Sequence, residues 1–169
     1  VGPTLGQDPK DKSVFAFTIG LGAVVLFMAL FYRLSGVVAD ISLMAYVVIL
    51  LFVLKLLDAT LTLPGVAGII LSIGMAVDAN VLIFEHFKEE YLSGKTLRLS
   101  MDAGFSRAFT TIFDSNITTI IASAVLFCFG TGSIRGFAIT LGLGVIISMF
   151  TAITLTQFMT KNLIAANVI

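Results

Sequence analysis

One carboxylate, Asp78, lies in the middle of an apolar segment at residues 72–85, SIGMAVDANVLIFE, and is followed by Ala79 and Asn80. An acid inside an apolar segment of membrane length costs about 2.5–3.5 kcal/mol to insert. Burial in an apolar medium favours the neutral form of a carboxyl group. Asp78 therefore either alternates between its charged and neutral forms, as a proton-coupled transporter requires, or stays protonated and makes one structural hydrogen bond.

The depth of Asp78 follows from Pro64, which suits the first turn of a helix because proline lacks an N–H there. At 1.5 Å per residue, Asp78 lies about 21 Å along that helix, inside a hydrocarbon core about 30 Å thick. We expect no Lys or Arg of the chain at the same depth. Asp78 is then either neutral at rest or paired with a basic residue of another chain.

Of two further charged residues, Arg107 precedes the fourth apolar run and Asp114 begins it. Asp114 suits the start of a membrane span near the interface, because a carboxylate is favourable at a helix N-terminus. The hydroxyls of Ser115, Thr119 and Ser123 follow on one helical face. They can hydrogen-bond to other helices or hydrate a path for protons.

The composition indicates an integral membrane protein. Of 169 residues, 58% are hydrophobic and 12% are charged, and the mean hydropathy is +1.08; a soluble domain usually has about 25% charged residues. The ten basic and ten acidic residues cancel, so the net charge gives no indication of a nucleic-acid partner. Cys128 is the single cysteine, which provides neither a disulfide framework nor a cysteine metal site. We expect a lipid bilayer around the protein, and no cofactor or metal.

The apolar runs predict an all-α bundle of five transmembrane helices with an amphipathic cytoplasmic helix. A transmembrane domain at 13–160 is expected between an extracytoplasmic linker at 1–12 and a cytoplasmic tail at 161–169. Its spans are predicted at about 13–32, 37–57, 64–84, 114–130 and 136–159. Between the third and fourth spans, residues 86–113 hold a cluster of charges. Thr96 can cap a helix there, and the apolar spacing after it predicts an amphipathic helix on the membrane surface.

The distribution of basic residues predicts the orientation. One side has six of them, Arg33, Lys161 and four within 86–113, whereas the other has Lys10, Lys12 and Arg135. Because cytoplasmic loops carry the excess of Lys and Arg, the first side is predicted to be cytoplasmic. The N-terminus of the chain would then be extracytoplasmic and its C-terminus cytoplasmic. The first residue is Val1, and we expect the chain to be part of a longer protein.

Small residues recur every four positions in two of the predicted spans. The stripe in the fifth span consists of Gly136, Thr140, Gly144, Ser148, Ala152 and Thr156, and a shorter one in the third span consists of Gly68, Ser72 and Ala76. Such stripes allow another helix backbone to approach closely. They predict helix packing, and flat stripes would also permit helices to slide past each other.

Several motifs give the chain a close resemblance to the SecD family of protein-export membrane proteins, within the RND superfamily of proton-driven transporters. GMAVDANVLIFE is the most specific of them, because its Asp-Ala-Asn does not follow from hydrophobicity. The matching segments cover nearly the whole chain: VGPTLG at the start, FYRLSGVVAD at 31–40, TLTLPGVAGIILSIGMAVDANVLIFEHFKEE at 60–90, AGFSRAF at 103–109, DSNITTIIA at 114–122 and FGTGSIRGFAITLGLGVIISMFTA at 129–152.

The resemblance implies a function without covalent catalysis. Members of the family have a further N-terminal span and a large extracytoplasmic domain, so the chain is similar to their last five spans. They work with SecF beside the SecYEG channel on an unfolded polypeptide, and they use the proton motive force. Asp78 matches the family's intramembrane aspartate, implicated in proton conduction, and Arg107 matches the basic residue before the fourth span. The chain departs from the family at His86, where Arg is usual.

Two other interpretations stay open at this stage. An RND multidrug or lipid exporter is the first, although such pumps generally pair their intramembrane acids with an intramembrane Lys. The second is an isolated membrane fragment that acts only as an assembly module. In that case, the stripe from Gly136 to Thr156 could support a homo-oligomer.

Overall fold

The structure, a computed structural model, describes the backbone of residues 3–59 and 61–166 and the side chains of 11–33, 35–59 and 61–166. All regular structure in these ranges is helical: α1 (Pro3–Tyr32), α2 (Leu34–Leu56), α3 (Leu63–Leu92), α4 (Leu97–Phe129), α5 (Ser133–Phe150) and α6 (Gln157–Ala165). A π-helical turn, Thr151–Thr156, joins α5 to α6 without interruption. By length and composition, 5 helical stretches are suited to cross a membrane. The predicted all-α fold with five spans is confirmed.

Helices extend beyond the predicted spans at both ends of the chain. Residues 3–12, predicted as a linker, belong to α1, and residues 161–165 of the predicted tail belong to α6. Residues 1–2 and 167–169 of these two segments lie outside the described part of the chain. Lengthening an existing helix needs no new nucleus, because each added residue gains a hydrogen bond. A helix formed in the apolar core can therefore continue into polar sequence.

The charged segment at 86–113 differs most from its prediction. Instead of a separate surface helix, α3 continues to Leu92, and residues 97–113 form the first half of an unbroken α4. The turn between the helices contains Gly94, whose φ of 100° suits glycine. Thr96 caps α4, as predicted, by accepting a hydrogen bond from the Leu99 N–H at 3.4 Å. Charged side chains on one face do not end a helix, so the charge pattern alone misplaced these boundaries.

Helix α3 occupies the centre of the bundle. It packs most extensively against α5 and α4, and it also contacts α1 and α2. Thr62 caps its N-terminus by accepting a hydrogen bond from the Gly65 N–H at 3.1 Å, and Pro64 lies in its first turn. In contrast, α1 is peripheral: it packs mainly on α2, and most of its described side chains are exposed or only partly buried.

The connection between α1 and α2 is very tight. Arg33 adopts a positive φ of 52° in a one-residue turn. Gly36 then passes so close to the backbone carbonyl of Met28 that a side chain at this position would collide with it. The two helices therefore form a hairpin that depends on glycine at 36.

Candidate proton-coupling site

Asp78 lies on the outer surface of the central helix. Its side chain is exposed in the isolated chain, as are Leu71, Gly74 and Glu85, which precede and follow it on α3. None of the described side chains forms a hydrogen bond or an ion pair with Asp78. The site is therefore open to a proton or to a group outside the chain, and the described side chains provide no structural partner for it.

Asn80 lies two residues further along α3 and faces the opposite way. It is 3% exposed, and its Oδ1 lies 2.8 Å from the hydroxyl of Thr156. The same hydroxyl lies 2.8 Å from Ser42 Oγ on α2. A hydroxyl has one proton and Asn Oδ1 only accepts, so Thr156 donates to Asn80 and Ser42 donates to Thr156. This hydrogen-bonded triad, Ser42–Thr156–Asn80, connects three helical segments in the interior.

The two predicted small-residue stripes face each other between α3 and α5. A Cβ at Gly144 would lie 2.5 Å from Ser72 Cβ and 2.9 Å from the Tyr46 hydroxyl, and one at Gly68 would collide with Thr140 Oγ1. Ser72 also accepts a hydrogen bond from Tyr46 at 2.6 Å. Because Gly68 and Gly144 lack side chains, α3 and α5 can pack closely. Gly144 also leaves room for the buried hydrogen bond between Tyr46 and Ser72.

The π-helical turn keeps the stripe of α5 on the buried face. In a straight α-helix, each step of four residues rotates a side chain by about 40° beyond a full turn. From Gly136 to Thr156 this rotation would reach about 200°, which would turn Thr156 away from the core. A π turn has more residues per turn and rotates the following residues back. Thr156, Thr160 and Ile164 are accordingly all buried.

Arg107 lies in a charged cluster at the far end of α3, and not near Asp78. Its guanidinium donates to Glu90 Oε1 at 2.9 Å and lies 3.4 Å from Glu89 Oε2. Lys95 donates to the other oxygen of Glu90. Glu90 is twelve residues after Asp78, about 18 Å along the helix. In this structure, Arg107 connects α4 to α3 through Glu90, so the two predicted site residues are not brought together.

Asp114 lies on the exposed face of α4. The hydroxyls that follow it bond to their own helix: Thr118 donates to the carbonyl of Asp114 and Ser123 to that of Thr119. The hydroxyls of Thr118 and Ser123 therefore bond locally, whereas the side-chain hydrogen bonds between helices in the described core come from α2, α3 and the π turn.

Sequence reasoning did not identify the triad. In the sequence, Asn80 stands out only as part of the Asp-Ala-Asn motif, and Thr156 only as a small residue of the stripe. Ser42 gives no signal, because a serine in an apolar run usually bonds to its own backbone. The one available clue was an amide next to a membrane acid, since a buried amide needs a partner as well.

A family model described as "Protein export membrane protein SecD/SecF, C-terminal" matches residues 1–166. Protein translocase subunit SecD of Acidaminococcus fermentans is 69% identical over 99% of the chain, which covers 40% of that relative. The corresponding subunit of Dictyoglomus turgidum is 60% identical over 98% of the chain, which covers 41% of it. The chain thus spans about two fifths of the length of these relatives.

A solved structure has the same fold. The crystal structure of SecDF in a super-membrane-facing form matches with a TM-score of 0.90 and 41% identity, over 96% of this chain and 22% of that one. The family model and the close relatives agree over nearly the whole sequence, including the segment with Asp78. The chain therefore belongs to the SecD/SecF family of protein-export membrane proteins.

Proposed function

We propose that the chain is the membrane portion of a Sec translocase subunit in which Asp78 couples proton movement to protein export. The placement of Asp78 carries this proposal: it is an acid on the central helix, exposed on the outer face and without a partner among the described residues. The proposed partners are SecF, the SecYEG channel and an unfolded polypeptide. The polypeptide would be bound by parts of a longer protein, and the proposed coupling ion is the proton.

The free energy released by one moving proton is similar in size to the cost of a charged aspartate in the bilayer. Moving one proton through a membrane potential of 100 mV releases about 2.3 kcal/mol. Holding a charged aspartate in the bilayer costs about 2.5–3.5 kcal/mol on insertion scales. The free energy released by one proton is therefore comparable with the cost of holding the charged form of Asp78 in the bilayer. The predicted roles of Arg107 and Asp114 in proton coupling stay secondary, because Arg107 bonds to Glu90, about 18 Å along α3 from Asp78, and Asp114 lies on the exposed face of α4.

The proposed orientation places the turn between α3 and α4 and the end of α6 in the cytoplasm. The turn between α4 and α5 would then be extracytoplasmic. The charged cluster formed by Glu90, Lys95 and Arg107 supports this arrangement, because basic residues concentrate on the cytoplasmic side.

Replacing Asp78 by asparagine tests the proton role in the full-length protein with its translocase partners. Asn imitates the neutral acid, so a structural, permanently protonated Asp78 would tolerate the change. We expect Asp78→Asn to abolish the stimulation of export by an imposed proton gradient in sealed membrane vesicles, because the site can no longer release a proton.

The matched control is Asp58→Asn, which removes the same charge from the short turn before α3. Asp58 has a φ of 51°, a conformation that Asn also adopts readily. We expect this variant to keep the gradient response of the wild type. A full response in Asp78→Asn would refute the proton-coupling role.

A further inference from the structure

Asp78 and Asn80 point in opposite directions from the same helix. Two residues correspond to a rotation of about 200° in an α-helix. Asp78 is exposed and Asn80 is buried, as this rotation requires. Whatever fixes the direction of Asn80 therefore also fixes the direction of Asp78.

The interior of the bundle holds Asn80 through Thr156. The Tyr46 hydroxyl on α2 donates a hydrogen bond directly to Ser72 on α3. Eight residues further along α3, Asn80 makes no direct hydrogen bond to α2 among the described side chains, and the Thr156 hydroxyl bridges it to Ser42. The two hydroxyl residues are 1% and 0% exposed. At the level of Asn80, the hydrogen-bonded connection between α2 and α3 thus depends on the single hydroxyl of Thr156.

The apolar residues around the triad cannot replace the Thr156 hydroxyl as a hydrogen-bond donor to Asn80. Ala79, Ile83 and Ala152 belong to the buried apolar cluster beside it. In an apolar interior, a lost hydrogen bond leaves an unsatisfied carbonyl on Asn80, which would favour turning the amide toward another partner. Such a rotation of α3 would move Asp78 away from its present face.

We propose that Ser42, Thr156 and Asn80 are positioning residues, which fix the rotation of α3 and so hold Asp78 on the outer face of the bundle. The π-helical turn has a part in this device because it brings Thr156 back to the core. The functional consequence rests on the proposed role of Asp78 in proton coupling, whereas the rotational one does not.

The first test measures gradient-stimulated export in the full-length protein with its partners. We expect Thr156→Val, which keeps the shape but removes the hydroxyl, to reduce the stimulation by about tenfold or more, as misplacement of a reacting group commonly does. Thr156→Ser retains the hydroxyl and should restore near-normal export. Thr140→Val is the matched control, because among the described residues this buried hydroxyl bonds to carbonyls of its own helix alone, those of Gly136 and Phe137.

The second test reports the position of residue 78 independently of export. A nitroxide label is attached at Asp78→Cys in full-length protein whose other cysteines, including the exposed Cys128, are replaced by serine. In lipid nanodiscs, we expect one mobile spectral component with Thr156 intact or with Thr140→Val. With Thr156→Val, a second, immobilised component should appear because α3 is no longer held in one rotation.

The outcomes separate the two proposals. Identical spectra for Thr156→Val and Thr140→Val overturn the positioning role, and so does a failure of Thr156→Ser to restore export that Thr156→Val has lost. Normal export by Thr156→Val while Asp78→Asn is inactive also overturns it. An altered spectrum with normal export in both Thr156→Val and Asp78→Asn instead supports the positioning and overturns the proton-coupling function.

Discussion

At the scale of single residues, Asp78 and Asn80 show how one helix accommodates two polar groups in different ways. The carbonyl oxygen of Asn80 accepts a hydrogen bond from Thr156 inside the bundle, whereas Asp78 lies on the surface without a partner among the described residues. A buried amide can be fully satisfied by neutral hydroxyls, but a carboxylate in an apolar medium needs a proton or a positive charge. The carboxyl group of Asp78 is therefore the one suited to exchange a proton with its surroundings.

Glu90 is the most buried charged residue among those described. It is 8% exposed and accepts hydrogen bonds from Lys95 and Arg107, each through a different carboxylate oxygen. Lys95 precedes α4 and Arg107 belongs to it, so Glu90 fastens both the turn and the neighbouring helix to α3. Charge-assisted hydrogen bonds of this kind are stronger than neutral ones.

We predict that Glu90→Gln lowers the melting temperature of the protein by several degrees, because an amide replaces the charge that both cations share. The chain contains no Trp, so helix loss is best followed by far-ultraviolet circular dichroism in detergent. Glu89→Gln is the control, since Glu89 is 58% exposed and exposed ion pairs contribute little. Equal melting of the two variants would show that Glu90 has no special role.

At this scale the sequence identified Asp78 but not the triad. An acid in an apolar segment is conspicuous by its cost, whatever the fold. A serine or threonine in the same segment costs little, because it can bond to its own helix, as Ser123 and Thr140 do. Whether such a hydroxyl connects two helices depends on their relative rotation, which only the assembled structure defines.

At the scale of helices, the contact between α3 and α5 dominates the bundle. It is formed by small residues whose backbones approach closely, as at Gly68 and Gly144. In a membrane, close packing replaces the hydrophobic effect as the source of helix association. The sequence stripes indicate this contact well, because the spacing of small residues is itself the interface.

We predict that Gly144→Ala destabilises the protein by about 1–3 kcal/mol, the usual cost of overpacking. Its new methyl group would lie 2.5 Å from both side-chain atoms of Ser72 and would disturb the bond from Tyr46. Gly74→Ala on α3 is the control, because nothing lies within 4 Å of its added Cβ. Thermal unfolding in detergent should separate the two variants, and equal stability would contradict the close-contact explanation.

The sequence predicts where the membrane-spanning helices lie better than it predicts where each helix begins and ends. The five apolar runs located every span, since about 20 apolar residues suffice to cross a bilayer. Hydropathy measures where the apolar core ends, but a helix ends where capping and turn residues interrupt it, as at Thr96 and Gly94. Hydropathy therefore predicts a surface segment where the charged end of α3 and the first half of α4 lie. The π turn was missed because its sequence, TAITLT, contains no residue that ordinarily breaks an α-helix.

At the scale of the whole molecule, the bundle has a dense centre and an open periphery. In α1, 6% of the residues in the stretch suited to span the membrane are buried. In the segment Ser133–Ala165, the corresponding share is 50%. The exposed apolar surface suits lipid or further protein, and the chain covers only 40% of its relative in Acidaminococcus fermentans. The SecDF match shows that this five-helix arrangement recurs within a much longer protein.

The proposed orientation can be checked with single cysteines in a Cys128→Ser background. Ser93→Cys and Thr131→Cys place exposed thiols in the two turns that flank α4. A membrane-impermeant maleimide should label the variant at 131 in intact cells, and the variant at 93 only after permeabilisation, because basic residues surround that turn. Labelling both variants after permeabilisation controls for reactivity, and the opposite pattern in intact cells would reverse the assigned topology.

Because α3 and α4 are long helices, a small tilt displaces their ends by a measurable distance. These helices have 30 and 33 residues, about 45 and 50 Å, so their joined ends project past a hydrocarbon core about 30 Å thick. Asp78 lies about 21 Å from the end of α3 at Leu92. A tilt of about 5° about the level of Asp78 would displace that end by about 2 Å. In the proposed function, such a tilt is the movement by which a change at the Asp78 carboxyl group would reach the ends of these helices, which Arg107 connects through Glu90.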